Sequence, residues 1–407
     1  MTERTDILIV GGGLVGASLA LALDAAGPRA ILLEASTPRG AKAANGVSSG
    51  DDDRNLVLGR ASVNALRMLG VWPQLEAAAG TIRRVEVSRA GEFGRLRMSA
   101  DDVGVDALGR VVPGRVLGAA LERRLAECTH VRRLAPAKLI ALTPLGSGWH
   151  ARIATQRGEH EIDARLVVGA DGSGSQVRAQ VGIGASEHDY AQSLFVCTVG
   201  CERDEADCAF ERFTDDGPVA LLPLPRQRRG LVLTAFADRH DEVEAMDAAA
   251  FLALAQRRFG WKLGALSRPG KRFPHRIRRV LADAVTAPRA VLVGNAAQTV
   301  HPIGAQGFNL GLRDALTLAE SIEGAEDPGM PALLHEYALR RQPDRDGVVA
   351  FSHGLVALGC LAQPALAPLR SLALLALEGI SPLRHAVTRR GMGFRGLPPA
   401  AALDVAP

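Results

Sequence analysis

Apolar residues fall along this chain in two patterns. Short unbroken apolar runs lead into glycine-rich turns at Asp6 to Val10, at Leu166 to Val168 and at Val291 to Val293. Such runs suit strands of a parallel sheet covered on both faces, and the turns mark strand-to-helix connections. The first run passes through Gly11-Gly12-Gly13-Leu14-Val15-Gly16 into an Ala/Leu-rich helix ending near Gly27. A second strand, Arg29 to Leu33, then delivers Glu34. The last run opens a loop shaped by Pro302, Gly304 and Gly307, and a helix begins near Gly307. The other pattern is alternation. LFVCTVG, CAFERF, PVALLPLP and GLVLTAF, between Tyr190 and Ala237, are broken by Gly, Pro and Asp and predict an antiparallel sheet. Leu117, Leu121 and Leu125 at helical spacing predict a helix over Val111 to Glu127, and residues 131 to 169 hold several short strands, including Trp149 to Thr155.

Composition adds bounds. A chain of 407 residues, 47% hydrophobic, buries a large core and suggests two domains with a tail. The net charge of +4 is spread along the chain; RRVEVSRAGEFGRLR and KRFPHRIRR, the densest basic runs, carry no reader motif. They read as solvated surface with a modest attraction to anionic membrane, and no nucleic-acid partner is expected. The five cysteines are odd in number and lack a CxxC, and no signal peptide precedes the first strand, which indicates a reduced cytoplasmic setting. Cys197, Cys201 and Cys208 have no His at ligand spacing, so no metal is expected. Residues 355 to 380 are apolar but interrupted by Pro364, Pro368 and Arg370. Two readings stay open there: a helical pair packed on the nucleotide-binding domain or on another subunit, or an interfacial membrane contact. Residues 396–407 are expected to be a disordered tail.

The glycine turns carry the chemistry. Gly11 makes a tight turn, Gly13 lets backbone approach a pyrophosphate, Gly16 allows close helix packing, and Glu34 accepts from a ribose hydroxyl. This fingerprint alone does not separate FAD from NAD. Near Gly307 to Leu310, free N–H groups and the helix dipole favour negative charge of the kind a reduced flavin ring carries. Asp171, in the turn DGSGSQVR, suits a helix cap.

GNAAQTVHPIGAQGFNLGLRD resembles the second FAD-contacting motif of the aromatic-ring flavoprotein monooxygenases, whose type member is para-hydroxybenzoate hydroxylase. The DGxxSxxR pattern at Asp171 to Arg178, and ERFTDDGPVALLPLP, are similar to that family too. Gly294-Asn295 followed by Ala-Ala-Gln-Thr, where most relatives have Gly-Asp, is most similar to the 2-polyprenyl-6-methoxyphenol hydroxylase branch of the ubiquinone-biosynthesis hydroxylases. The resemblance implies an α/β fold: a Rossmann-like FAD-binding domain interleaved with an α+β antiparallel-sheet substrate domain, plus C-terminal helices. Residues 1–75, 100–184 and 273–345 would form the first, 76–99 and 185–272 the second, and 346–395 the helical segment.

By the same resemblance FAD lies against Gly11, Gly13, Gly16, Glu34, Arg54, Arg115, Asp171, Gly294, Asn295, Pro302, Gly304, Gln306, Gly307, Asn309 and Leu310. Arg178 is implicated in handling NADH or NADPH, and O2 is the co-substrate. The substrate implied is a polyprenylated phenol, met by a cytoplasmic enzyme peripheral to the inner membrane within a multi-enzyme assembly. The phenol must become more phenolate-like, which makes His301 the candidate catalytic residue; a loop-fixing hydrogen bonder is the other reading of it. Two further classes stay open. One is an enzyme of the same fold acting on another aromatic or isoprenoid substrate, such as a halogenase or reductase, although Trp72, Trp149 and Trp261 stand apart and form no WxWxIP. The other is a non-catalytic FAD-binding subunit.

Overall fold

The computed structural model describes residues 2–36, 55–203, 205–359 and 364–404. The apolar runs meet in an eight-stranded sheet ordered β18 (Thr286–Ala287), β19 (Ala290–Leu292), β11 (Gly158–Gly169), β1 (Glu3–Val10), β2 (Ala30–Leu33), β8 (Val131–Leu134). The strands β19, β11, β1, β2 and β8 are parallel, with Ile7 opposite both Leu166 and Ala30. The strands β10 (Gly148–Thr155) and β9 (Ala137–Leu145) continue antiparallel from β11. Alternation then sends side chains to two cores. Ile7, Ile9, Leu32, Leu166, Val168 and Val291 pack with α1 (Leu14–Ala26), α3 (Gly114–Leu125) and α7 (Gln306–Ile322). Leu8, Val10, Ile31, Leu33, Val167 and Leu292 pack with β9, β10 and α4 (Gln176–Gln180). Burial on both faces is why these strands read as unbroken apolar runs.

The second sheet has nine strands, ordered β20 (Gln298–Thr299), β17 (Phe273–Ala282), β12 (Ala185–Cys201), β15 (Arg228–Phe236), β14 (Val219–Leu224), β13 (Cys208–Phe213), β5 (Arg84–Arg89), β6 (Arg95–Ser99); β16 (Leu266–Ser267) pairs with β12. Only β13 and β5 run parallel. One face carries Phe195, Cys197, Phe210, Leu221 and Leu231 into a core beneath α6 (Ala248–Phe259), with Val243 of α5 (His240–Ala245). Between the two large sheets lies a small one, β3 (Asn55–Gly59), β7 (Gly109–Pro113), β4 (Gly80–Ile82), and β3 leads into α2 (Arg60–Met68).

Several expected boundaries shift. Val111 to Pro113 are strand, because β7 bonds to both β3 and β4, so the helix begins at Gly114. Phe273 to Ala282 are hydrogen-bonded to β12, which assigns them to the antiparallel sheet and not to the FAD-binding domain expected from residue 273. At the C-terminal end follow α8 (Pro331–Gly359), α9 (Ala367–Gly379) and α10 (Ser381–Gly391). α9 packs on β6, so closely that a Cβ on Gly94 would stand 2.4 Å from the Ser371 carbonyl oxygen; its support is thus the nine-stranded sheet, not the eight-stranded one. The expected disordered tail is placed as far as Asp404. Ala402 is fully buried, and the Asn64 amide donates to Ala402 O, Leu403 O and Asp404 Oδ1.

Candidate active site

At the first glycine turn the backbone explains each residue. Gly11 has φ +107°, and a Cβ there would lie 2.4 Å from Ala170 O; one on Gly16 would lie 1.9 Å from Gly11 O. A Cβ on Gly13, by contrast, would meet nothing within 4 Å. Gly13 is the N-cap of α1, which has neither a side-chain cap nor an acidic residue in its first turn. Free N–H groups on an open approach are an anion site. Glu34 stands beside it: its Oε2 would be 2.9 Å from a Cβ on Gly12, and its Oε1 accepts from Ser36 N at 2.7 Å. An open pyrophosphate cradle with a carboxylate at ribose distance along the chain fits FAD.

The DGSGSQVR turn is used internally. Asp171 accepts from Ser175 Oγ, from Gln176 N (2.8 Å) and from Val177 N (3.1 Å), capping α4. Arg178, which the resemblance linked to the nicotinamide cofactor, is buried; its guanidinium donates to Ala296 O (2.9 Å) and Ser173 O (2.8 Å), bracing this turn against the loop after β19.

That loop is held from three sides. Gly294 (φ +60°) packs on Val15, where a Cβ would come within 3.1 Å, and donates its N–H to Asp314 Oδ2 at 3.1 Å. Asn309 donates to Val57 O (2.8 Å) and Ala305 O (2.7 Å) and accepts from Gly59 N (3.0 Å), tying the start of α7 to β3. Asp314 also accepts from Gln298 Nε2 (2.6 Å) and Arg341 Nε (2.7 Å), and Asp344 on α8 pairs with Arg313 and Arg341. So fixed, the loop turns Asn295, Pro302 and Gly304 outward. Gly304 (φ +66°) and Ala305 (φ +51°) are both left-handed, a strained entry for a non-glycine residue. The entry leaves α7 without a side-chain cap, so the N–H groups from Gln306 to Asn309 begin a second anion site; Leu310 behind them is buried. Arg115 lies exposed in the first turn of α3. Arg54 lies outside the described residues.

His301 links loop and roof. Its Nδ1 accepts from Ile303 N (3.1 Å), so Nε2 carries the proton and donates to Gln192 Oε1 (3.2 Å) on β12. Burial pushes its pKa down to about 4, so the ring is neutral at neutral pH. Tyr190 meets it edge-on at 4.8 Å between centroids. With both nitrogens engaged, this is the loop-fixing arrangement. Acting as a base would require Nδ1 to release Ile303.

The antiparallel sheet roofs this loop. At one end Gln192 bonds to His301; at the other, Gly230 faces Asn55 of β3, whose Nδ2 would be 2.7 Å from a Cβ on it. Between these contacts the same face carries Leu194, Val196, Ala220 and Val232. Asn55 Nδ2, Tyr190 Oη and Gln306 Oε1 are buried with no hydrogen-bond partner. A ligand bound against this apolar face would bring polar groups to these atoms. Asn55, Tyr190 and Gln192 escaped the sequence reading, because their placement depends on strand register.

A family model described as FAD binding domain matches residues 4–352. The chain is 37% identical over 400 residues to the ubiquinone hydroxylase UbiL of Rhodospirillum rubrum, covering 97% of this chain and 91% of that protein. It is 33% identical over 406 residues to the 3-demethoxyubiquinol 3-hydroxylase of Escherichia coli, covering 96% and 99%. Among solved structures it shares its fold with p-nitrophenol 4-monooxygenase PnpA from Pseudomonas putida, at TM-score 0.78 and 18% identity over 96% of this chain and 99% of that one.

Proposed function

The chain belongs to the FAD binding domain family and is an FAD-dependent monooxygenase, and from that premise we propose that it hydroxylates a polyprenylated phenol of the 2-polyprenyl-6-methoxyphenol type in ubiquinone biosynthesis. NADH or NADPH is the reductant and O2 the oxidant. The observation that carries this reading is the apolar roof of Leu194, Val196 and Val232 over the strained loop, with orphan polar atoms at its margins.

When bound, FAD supplies the redox chemistry, taking hydride from the nicotinamide and activating O2 for transfer to the ring. This chain's residues do the rest. Gly11, Gly13, Gly16 and the start of α1 hold the pyrophosphate, and Glu34 holds a ribose hydroxyl. Asn295, Pro302, Gly304 and the amides from Gln306 to Asn309 face the flavin, with Leu310 packed behind them and Arg115 at its margin. Gly294, Asp171 and Arg178 support that surface from behind through packing and capping. The apolar roof excludes water from the ring.

A specific observation also favours peripheral membrane contact. Leu369, Leu372, Leu375, Ile380 and Leu383 are exposed on α9 and at the start of α10. No helix among the described residues is long and apolar enough to cross a membrane, so this face would lie in the interface while a prenyl tail stays in lipid. Assembly with other enzymes of the pathway at that surface is part of the same proposal.

Deleting the gene in its host and identifying lipid-extracted quinone intermediates by mass spectrometry tests the substrate. The expected result is accumulation of a polyprenyl methoxyphenol, cleared by the wild-type gene and not by a Gly13 variant. Unchanged quinone without that intermediate would move the substrate to another aromatic compound.

A further inference from the structure

Beyond the hydroxylase reading, and resting on it, we propose that Glu211 recognises the phenolic hydroxyl of the substrate and accepts its proton as the ring is oxygenated. The placement follows from strand register. Glu211 on β13 lies opposite Ala220 on β14 and Val87 on β5; Ala220 lies opposite Val232, and Val232 opposite Val196. Directly paired residues put their side chains on one face of a sheet. Glu211 is therefore the one charged residue in a row that runs Leu96, Val87, Glu211, Ala220, Val232, Val196, Phe273. Its neighbour Phe210 points the other way, into the core beneath α6.

The face that carries Glu211 is the one turned toward the nucleotide-binding half. It is the face of Gly230, which meets Asn55, and of Gln192, which meets His301; the Glu211 row lies between those two contacts. Val232 belongs to the apolar clusters on both sides of it, one with Ile82, Val111 and Leu222, the other with Leu194 and Ile277. Glu211 thus sits on the roof of the proposed ring pocket.

Its chemistry is distinctive. Two carboxylates on or beside the neighbouring strand β5 are paired, Glu86 with Lys262 and Glu92 with Arg370. Glu211 has no hydrogen bond or ion pair among the described residues, and its paired neighbours Val87 and Ala220 carry no charge. Burial alone raises its carboxyl to about 7, with no charged side chain among the described residues contributing. An unpaired carboxyl costs stability where it stands, and a group poised near neutrality is suited to exchange protons.

The step balances within substrate and side chain. The phenol O–H bond breaks as a carboxyl O–H bond forms on Glu211, and the electron pair left on oxygen raises the nucleophilicity of the ring carbon that takes the oxygen atom. When that carbon sheds its hydrogen to solvent and aromaticity returns, the proton goes back to the ring oxygen and the carboxylate is restored.

The test uses FAD-loaded wild type, Glu211→Gln and Glu211→Asp, with a short-chain prenylated 2-methoxyphenol and its methyl ether as probes. Affinity is read by calorimetry and turnover by product formation across pH; the FAD content of each protein confirms folding. The wild type is expected to bind the phenol about tenfold more tightly than the ether at pH values above neutrality, as befits a hydrogen bond to a charged group. Glu211→Gln should lose that preference, lose about 100-fold in turnover, and lose the rise of kcat/KM through neutral pH, which Glu211→Asp partly retains. Product formation by Glu211→Gln within about threefold of wild type, with the pH limb intact, would overturn the role of Glu211 and leave the hydroxylase standing. Glu211-dependent preference for the phenol with no hydroxylated product would support hydroxyl recognition and overturn the hydroxylase.

Discussion

Gly13 and Gly16 lie on one turn of the chain and should fail in different ways. A leucine at Gly13 meets open space within the protein, so Gly13→Leu should fold normally and lose FAD, read as flavin absorbance per protein beside an unchanged circular dichroism spectrum. Full flavin loading would contradict the cradle. Gly16→Leu drives a side chain into Gly11 O and should prevent folding. Two titrating groups, the buried His301 and the half-buried Glu211, predict opposite pH slopes. His301 is depressed from 6.5 to about 4, so between those values the unfolded chain binds a proton that the folded one refuses, and stability falls as pH drops. Glu211 is raised from 4.5 to about 7, so in that window the folded state holds the extra proton and stability falls as pH rises. Glu211→Gln should therefore be the more stable protein above neutrality, by up to about 3 kcal/mol in urea titrations, while losing activity. A variant less stable than wild type there would mark Glu211 as structural.

Among the elements, α8 matters most for what it holds in place. Arg341 bridges Asp314 on α7 to Asp344, and Asp314 in turn receives Gly294 N–H and Gln298. Arg341→Met leaves two buried carboxylates short of a cation, at a cost of about 3–5 kcal/mol, and should weaken FAD binding along with it. Urea unfolding that matches wild type would show the network to be dispensable. Sequence made the glycine turns legible, because their requirement is steric and local: Gly11, Gly16 and Gly304 each answer to atoms or dihedrals close at hand. It did not reveal the α7–α8 network, because nothing local to Arg341 names Asp314 as its partner. Val111 to Pro113 misled for a related reason: a short apolar run suits strand or helix, and only pairing with β3 and β4 decides. The run CAFERF announced a strand, but which face Glu211 occupies is a matter of register, and register is set by partners far along the chain.

At the scale of the whole molecule, the parallel sheet, its cofactor cradle and the antiparallel roof were expected in outline, while the packing of α9 on β6 was not, since an apolar helix does not specify which surface covers it. Its outward leucines predict that the double variant Leu372→Glu, Leu375→Glu binds anionic phospholipid vesicles at least about tenfold more weakly, by co-sedimentation, with FAD content unchanged. Equal binding would place the membrane contact elsewhere or nowhere. The central claim is that floor and roof together enclose a phenol ring for oxygenation. It is tested most directly by supplying FAD-loaded protein with NADH or NADPH, a short-chain prenylated 2-methoxyphenol and heavy-isotope oxygen gas, then weighing the product by mass spectrometry. The account predicts one heavy oxygen atom on the ring, formed in step with nicotinamide oxidation. Oxidation of the nicotinamide that leaves the phenol unlabelled, under conditions where the phenol binds, would contradict it.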